Sequence, residues 1–173
     1  KLAGSNPPDG VHGLVLDYDP SVPGYSGSAG DWTIHGNTFQ GSNLGTFSTG
    51  IRLYSDLPSM STINISDNHI SGWVNGIRSD ALPNAGLVNI HQNNIINNSL
   101  NGFLDGGSAP NINATYNYWG SLDGPSNVGP GTGDGVSANV DYSPWLGLPV
   151  GTVPMTYGVD ATSTIQEAIN NAN

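Results

Sequence analysis

Arg52 and Arg78 stand at the same place in two tetrapeptides, GIRL (50–53) and GIRS (76–79), with Asp56, Asp80 and Asp105 close behind them in the chain. A guanidinium forks onto carboxylate oxygens, so a pair of arginines beside acids has the chemistry to hold a uronate. Two carboxylates flanking a glycosidic bond have the chemistry to cleave it. Arg52, Arg78, Asp80 and Asp105 are therefore the candidate catalytic residues. The competing reading is that the arginines neutralise Asp56, Asp80 or Asp105 on an exposed sheet face, where such pairs contribute little. With one glutamate in the chain and no convergent acid–base set, the second reading carries more weight and catalysis is not expected.

The four histidines add little to a catalytic case. His35 and His91 occupy one column of the repeat described below but lie two repeats apart, about 10 Å at ordinary strand spacing. His69 belongs to another column and His12 to the first repeat. Metal bonds of about 2 Å to one centre exclude a shared zinc in that arrangement. The stretch DYDPSVPGYSGSAGDW (17–32) gathers Asp17, Asp19 and Asp31 with aromatic residues. Its oxygens make it the candidate calcium site, or a sugar-binding loop. The EF-hand spacing is absent, and a loop packed down by its own aromatics is the simpler reading. No cofactor is expected. Three sequons, NIS at Asn64, NNS at Asn97 and NAT at Asn113, are candidate glycosylation sites.

These residues need elements to carry them, and the chain is strongly periodic. IHGNTF (34–39), ISDNHI (65–70), IHQNNI (90–95) and ATYNYW (114–119) share the form apolar-x-x-Asn-x-apolar. Their asparagines, Asn37, Asn68, Asn93 and Asn117, are spaced by 31, 25 and 24 residues. A second series, GLVL, GIRL, GIRS and GFLD, begins at Gly13, Gly50, Gly76 and Gly102 with spacings of 37, 26 and 26. Two motifs recurring in phase at about 25 residues, built from short β-prone runs and turn residues, describe the coil of a solenoid. Alternation puts Ile34, Ile63, Ile65, Val88, Ile90, Ile112 and Ala114 inward and Asn64, Asn89 and Asn113 outward. The phased asparagines fall at turns, where stacked amides can bond from coil to coil and a left-handed conformation is tolerated. The phased glycine is expected to permit a sharp bend before the next strand.

Composition agrees. Glycine (25) and asparagine (21) dominate, which favours turns and short strands over helices. Lys1, Arg52 and Arg78 are the only bases against a net charge of −10, so the chain has no electrostatic source for binding a phosphate backbone or an anionic membrane. Nucleic-acid partners are excluded on that ground. No apolar run reaches about 18 residues, so membrane insertion is not expected. Cysteine is absent, which removes disulfides and thiolate chemistry.

On these motifs, residues 10–146 resemble the right-handed parallel β-helix proteins, the pectate-lyase-like superfold with its parallel β-helix repeats. The resemblance implies an all-β solenoid of about five coils. It also implies that NYWGSLDGPSNVGPGTGDGVSANVDYSPWL (117–146) is a closing segment, with Tyr118, Trp119, Tyr142 and Trp145 covering the last coil. In this superfold an amphipathic helix commonly caps the first coil, and TIQEAINNAN (164–173) reads like one. Thr164 and Glu167 form a capping box, with Ile165, Ala168 and Ile169 on one face. The expected organisation is a β-helix over 1–146, the C-terminal part of one such domain, then a Gly/Pro linker over 147–158. A helix over 159–173 would then cap a following or neighbouring β-helix. Either the chain is a piece of a tandem array, or its helix caps another copy head to tail.

The expected function is that of an extracellular or cell-surface structural building block: a surface layer, adhesin stalk or filament subunit. It would meet other copies of itself or adjacent β-helix domains end to end, with polysaccharide contacts along the outer face. The alternative is a polysaccharide lyase or glycoside hydrolase of the same superfold, or a fragment of one.

Overall fold

The computed structural model describes residues 10–16, 31–42, 45–53, 62–80, 87–107 and 112–151. Among them there are fourteen short strands and no helix. The strands are β1 (His12–Leu16), β2 (Trp32–His35), β3 (Thr38–Gln40), β4 (Thr49–Leu53), β5 (Thr62–Ser66), β6 (His69–Ser71) and β7 (Asn75–Ser79). They continue as β8 (Leu87–His91), β9 (Asn94–Ile96), β10 (Asn101–Asp105), β11 (Ile112–Asn113), β12 (Pro125–Asn127), β13 (Gly133–Val136) and β14 (Val140–Asp141). The protein is all-β, and its three sheets contain only parallel pairs.

The order within each sheet follows the sequence period. The first sheet runs β1-β4-β7-β10-β13-β12, the second β14-β11-β8-β5-β2 and the third β3-β6-β9. Each middle repeat therefore gives one strand to each sheet, and strands at equivalent repeat positions pair. Register is pinned by the apolar columns: Ile34 against Ile65 against Ile90, Phe39 against Ile70 against Ile95, and Ile51 against Ile77 against Phe103. A slip of one residue would turn each column toward solvent. Ile63, Ile65, Ile90 and Ala114 are fully buried, Ile112, Val88 and Ile34 nearly so, and Asn64, Asn89 and Asn113 are half-buried on the other face. Each buried isoleucine stabilises by about 1.5–3 kcal/mol relative to an exposed one.

Two expectations about turn chemistry are corrected. The left-handed residue at the first corner is not the phased asparagine but the residue before it: Gly36, Asp67, Gln92 and Tyr116, with φ of 69°, 56°, 55° and 56°. The asparagine itself is free to turn its amide along the stack. The phased glycines do not bend the chain either. Gly50 and Gly76 have no positive φ; a Cβ on Gly50 would lie 2.6 Å from the Gly76 carbonyl oxygen, and one on Gly76 would lie 2.8 Å from that of Gly102. Close approach of one repeat to the next, rather than backbone freedom, demands glycine there.

Trp119 is fully buried within the core, and Tyr142 and Trp145 pack against it from the side of β14. Their rings are 6.3 Å apart and inclined at 34°. The proposed helix residues Thr164, Ile165, Glu167, Ala168 and Ile169 lie outside the described residues, as does the linker beyond residue 151.

Candidate functional site

The arginines meet on one carboxylate. Arg52 and Arg78 are direct cross-strand partners on β4 and β7. Arg52 Nε donates to Asp80 Oδ2 at 2.7 Å and Arg78 Nε donates to Asp80 Oδ1 at 2.9 Å. Both oxygens of the one carboxylate are thus engaged, and Arg52 also meets His12 Nε2 at 3.1 Å. Asp80 relieves the repulsion between two stacked cations. Asp105 does not join this group. In β10 it follows Leu104, the register partner of Arg78, so alternation turns it to the opposite face. There it is buried, accepting from Ser79 Oγ at 2.7 Å. Its Oδ2 has no hydrogen-bond partner among the described residues. The structure thus brings Arg52, Arg78 and Asp80 together and places Asp105 apart from them, beside Ser79. Asp56 lies outside the described residues.

His35 meets Asp67 at 3.1 Å and Ser66 at 3.2 Å on the surface. His91 lies in the same column beyond Ser66, and His69 sits on the third sheet. Among the described residues no three His, Asp or Glu side chains converge on a metal position. Of the calcium candidates, Asp17 and Asp19 lie outside the described residues, while Asp31 Oδ1 accepts the Thr62 N–H at 3.3 Å.

The most extensive polar construction is a set of amide columns along the stack. At the first corner, Asn37, Asn68 and Asn93 each present a backbone N–H to the Oδ1 of the next asparagine in the series, at 2.9, 3.0 and 3.0 Å. The side-chain Nδ2 groups follow the same path, at 3.2, 3.0 and 2.9 Å. Asn68, Asn93 and Asn117 also reach back to carbonyls of the preceding repeat, those of Ile34, Ile65 and Ile90. These three asparagines are buried, so the bonds remove a desolvation cost of about 1–3 kcal/mol per stranded group.

Three further columns run beside it, the first built from the outward-facing asparagines of the second sheet. Asn113 donates to Asn89 and Asn89 to Asn64 on the outer face of the second sheet, at 3.2 and 3.1 Å. Asn127, at the end of β12, donates to Asn101 and Asn101 to Asn75, the first residues of β10 and β7, at 3.1 and 2.9 Å. At the second corner, Asn98 Oδ1 accepts the Trp73 N–H, and Asp134 Oδ2 accepts both the N–H and Nδ2 of Asn98. Burial raises the Asp134 carboxyl from an ordinary 3.8 to about 6, against the N–H donors of Asn98 and Asn97 that pull it down. A spacing of 24–26 residues, shared by the later members of the first column, also relates most members of the other three; Asp134 departs from it, 36 residues after Asn98.

The two ends of this stack differ. At the β14 end, Pro144 O accepts the Tyr116 N–H, Asn117 O accepts the Leu146 N–H, and Val150 exchanges two bonds with the Asn94 side chain. At the other end, β2 and β3 are edge strands that pair, among the described residues, only with β5 and β6. Asn37 is exposed, and its Oδ1 accepts no bond among the described residues. The sequon residues are accessible to different degrees. Asn97 is exposed with φ of 57°, whereas Asn64 and Asn113 are half-buried in the outer column.

Comparison with protein-family models, with curated proteins and with solved structures finds no match for this chain.

Proposed function

We propose that the chain is a right-handed parallel β-helix of the pectate-lyase-like kind and that it serves as an extracellular structural building block associating end to end. The observation that carries this reading is the contrast between the two ends of the stacked sheets. At the β14 end the corner around Asn117 is closed by bonds to Pro144 and Leu146, with Tyr142 and Trp145 packed on the core, although β14 itself is an edge strand. Among the described residues the corner of the β2–β3 end is left open, with β2 and β3 unpaired on their outer side beside half-buried Trp32 and Phe39. An unpaired edge is a template for another chain, and a head-to-tail contact that does not close on itself builds filaments. The internal pairing of Arg52, Arg78 and Asp80 adds support, because it leaves that cluster as a surface brace rather than a substrate clamp. The sequons at Asn64, Asn97 and Asn113 and the scarcity of bases suit a secreted or surface location.

Sedimentation velocity over a wide concentration series tests the reading. A weight-average sedimentation coefficient that climbs with concentration is the expected result. One invariant boundary at the mass of 17.9 kDa would count against it.

A further inference from the structure

The geometry points to the β2–Asn37–β3 edge as a docking site for a parallel strand–turn–strand segment that carries an asparagine at its turn, supplied by another β-repeat. This rests on the end-to-end reading above and specifies the chemistry of the partner. Which backbone groups face outward follows from the interior bonds. Gly36 N–H donates to Ser66 O, and Gly41 N–H donates to Ser71 O, so those residues face β5 and β6. Alternation then turns the backbone groups of Thr33, His35, Thr38 and Gln40 away from the stack. Ser66 and Ser71, the register partners of His35 and Gln40, use their carbonyls to bind the preceding repeat. The outer edge therefore presents to a newcomer the same groups that each interior repeat presents to its predecessor.

Asn37 supplies the selectivity. Within the stack, Oδ1 of Asn68 and of Asn93 each accepts two N–H groups from the preceding asparagine. Nδ2 of both also reaches a carbonyl of the preceding repeat. Among the described residues the Asn37 side chain keeps only the bonds from Nδ2 to Asn68 Oδ1 and to the His35 carbonyl. An incoming turn asparagine would supply the two donors that Oδ1 takes, and the strand ahead of it would supply the carbonyl. Trp32 and Phe39 call for apolar side chains in the register of Ile63 and Ile70, their partners on the other side. The fitting segment thus reads apolar-x-apolar-x-x-Asn-x-apolar, docked parallel by strand addition.

The test uses a fluorescein-labelled peptide of residues 62–71, TINISDNHIS, titrated with the intact protein and followed by anisotropy. Saturable binding is expected. It should weaken at least about tenfold for the peptide carrying Asn68→Ala, and likewise for the protein carrying Asn37→Ala, the scale set by losing about 1.4 kcal/mol. Binding with this pattern supports the inference whether or not the protein self-associates. Absence of saturable binding overturns it. So does equal binding of a scrambled peptide, or indifference to both asparagine substitutions, each of which would describe a merely sticky edge. The peptide substitution needs no refolding of the protein, so a failure of Asn37→Ala to fold leaves the test decisive. Concentration-dependent association that the peptide does not compete with would leave end-to-end assembly standing and overturn this site.

Discussion

A buried asparagine is an expensive choice unless every amide atom is used, and the first corner uses them. Asn68 accepts two N–H groups from Asn37 and donates to Ile34 O, Ser66 O and Asn93 Oδ1. Replacing it by alanine strands donors and acceptors on both neighbouring repeats. Asn68→Ala is expected to cost about 2–4 kcal/mol in urea unfolding, whereas Asn37→Ala, at the exposed end, costs under about 1 kcal/mol. Asp134 sets up a second test. Its folded pKa of about 6 lies above the ordinary 3.8, so the folded chain binds this proton more tightly than the unfolded one. The contribution to stability is therefore full below about pH 4, declines as the pH rises, and is gone above about pH 6. The difference is on the order of 2–3 kcal/mol. Asp134→Asn offers an uncharged oxygen to the same Asn98 donors. Denaturant melts at acidic and neutral pH should show the variant gaining stability at neutral pH and losing this part of the pH dependence.

Short strands and tight corners set the constraints at the next scale. Gly76→Ala places a Cβ 2.8 Å from the Gly102 carbonyl oxygen and 2.9 Å from Asn98 Nδ2. Neither neighbour yields without breaking a column or a strand pair, so a loss of about 1–3 kcal/mol is expected from thermal or urea unfolding. Gly36→Asn should be nearly silent in the same assay, because Asp67, Gln92 and Tyr116 already hold the left-handed conformation at the equivalent corner. These paired outcomes separate glycine needed for space from glycine tolerated at a turn. Strand positions were legible in the sequence because apolar residues at Ile63, Ile65 and Ile70 recur as Val88, Ile90 and Ile95, and a period of that kind fixes register. The face of Asp105 follows from the same period, although nearness in the chain grouped it with the arginines. GFLD aligns with GIRS, which places Asp105 in the column of Ser79 rather than that of Arg78. Parity along the strand, more than proximity in the chain, decides which residues meet. Less legible was Asp134 as the successor of Asn98, because 36 residues separate them where the repeat would put about 25.

For the whole molecule, the parallel stack has a direction. Every repeat offers the same set of groups to the one before it, and the set offered by β2, Asn37 and β3 is the last in the series among the described residues. Polar columns parallel to the stack make each added repeat a repetition of an existing interface, so each repeat's energetics rest on its immediate neighbours. The acidic charge opposes lateral clustering of such stacks, since −10 on 173 residues repels side by side as well as end to end. Added salt is therefore expected to promote association, read as a rise in the sedimentation coefficient at fixed protein concentration. Negative-stain electron microscopy across a concentration series tests the central claim most directly. End-to-end assembly predicts filaments of constant width that lengthen with concentration and shorten when the 62–71 peptide is added. Isolated particles at every concentration, or amorphous clusters without a defined width, would contradict it.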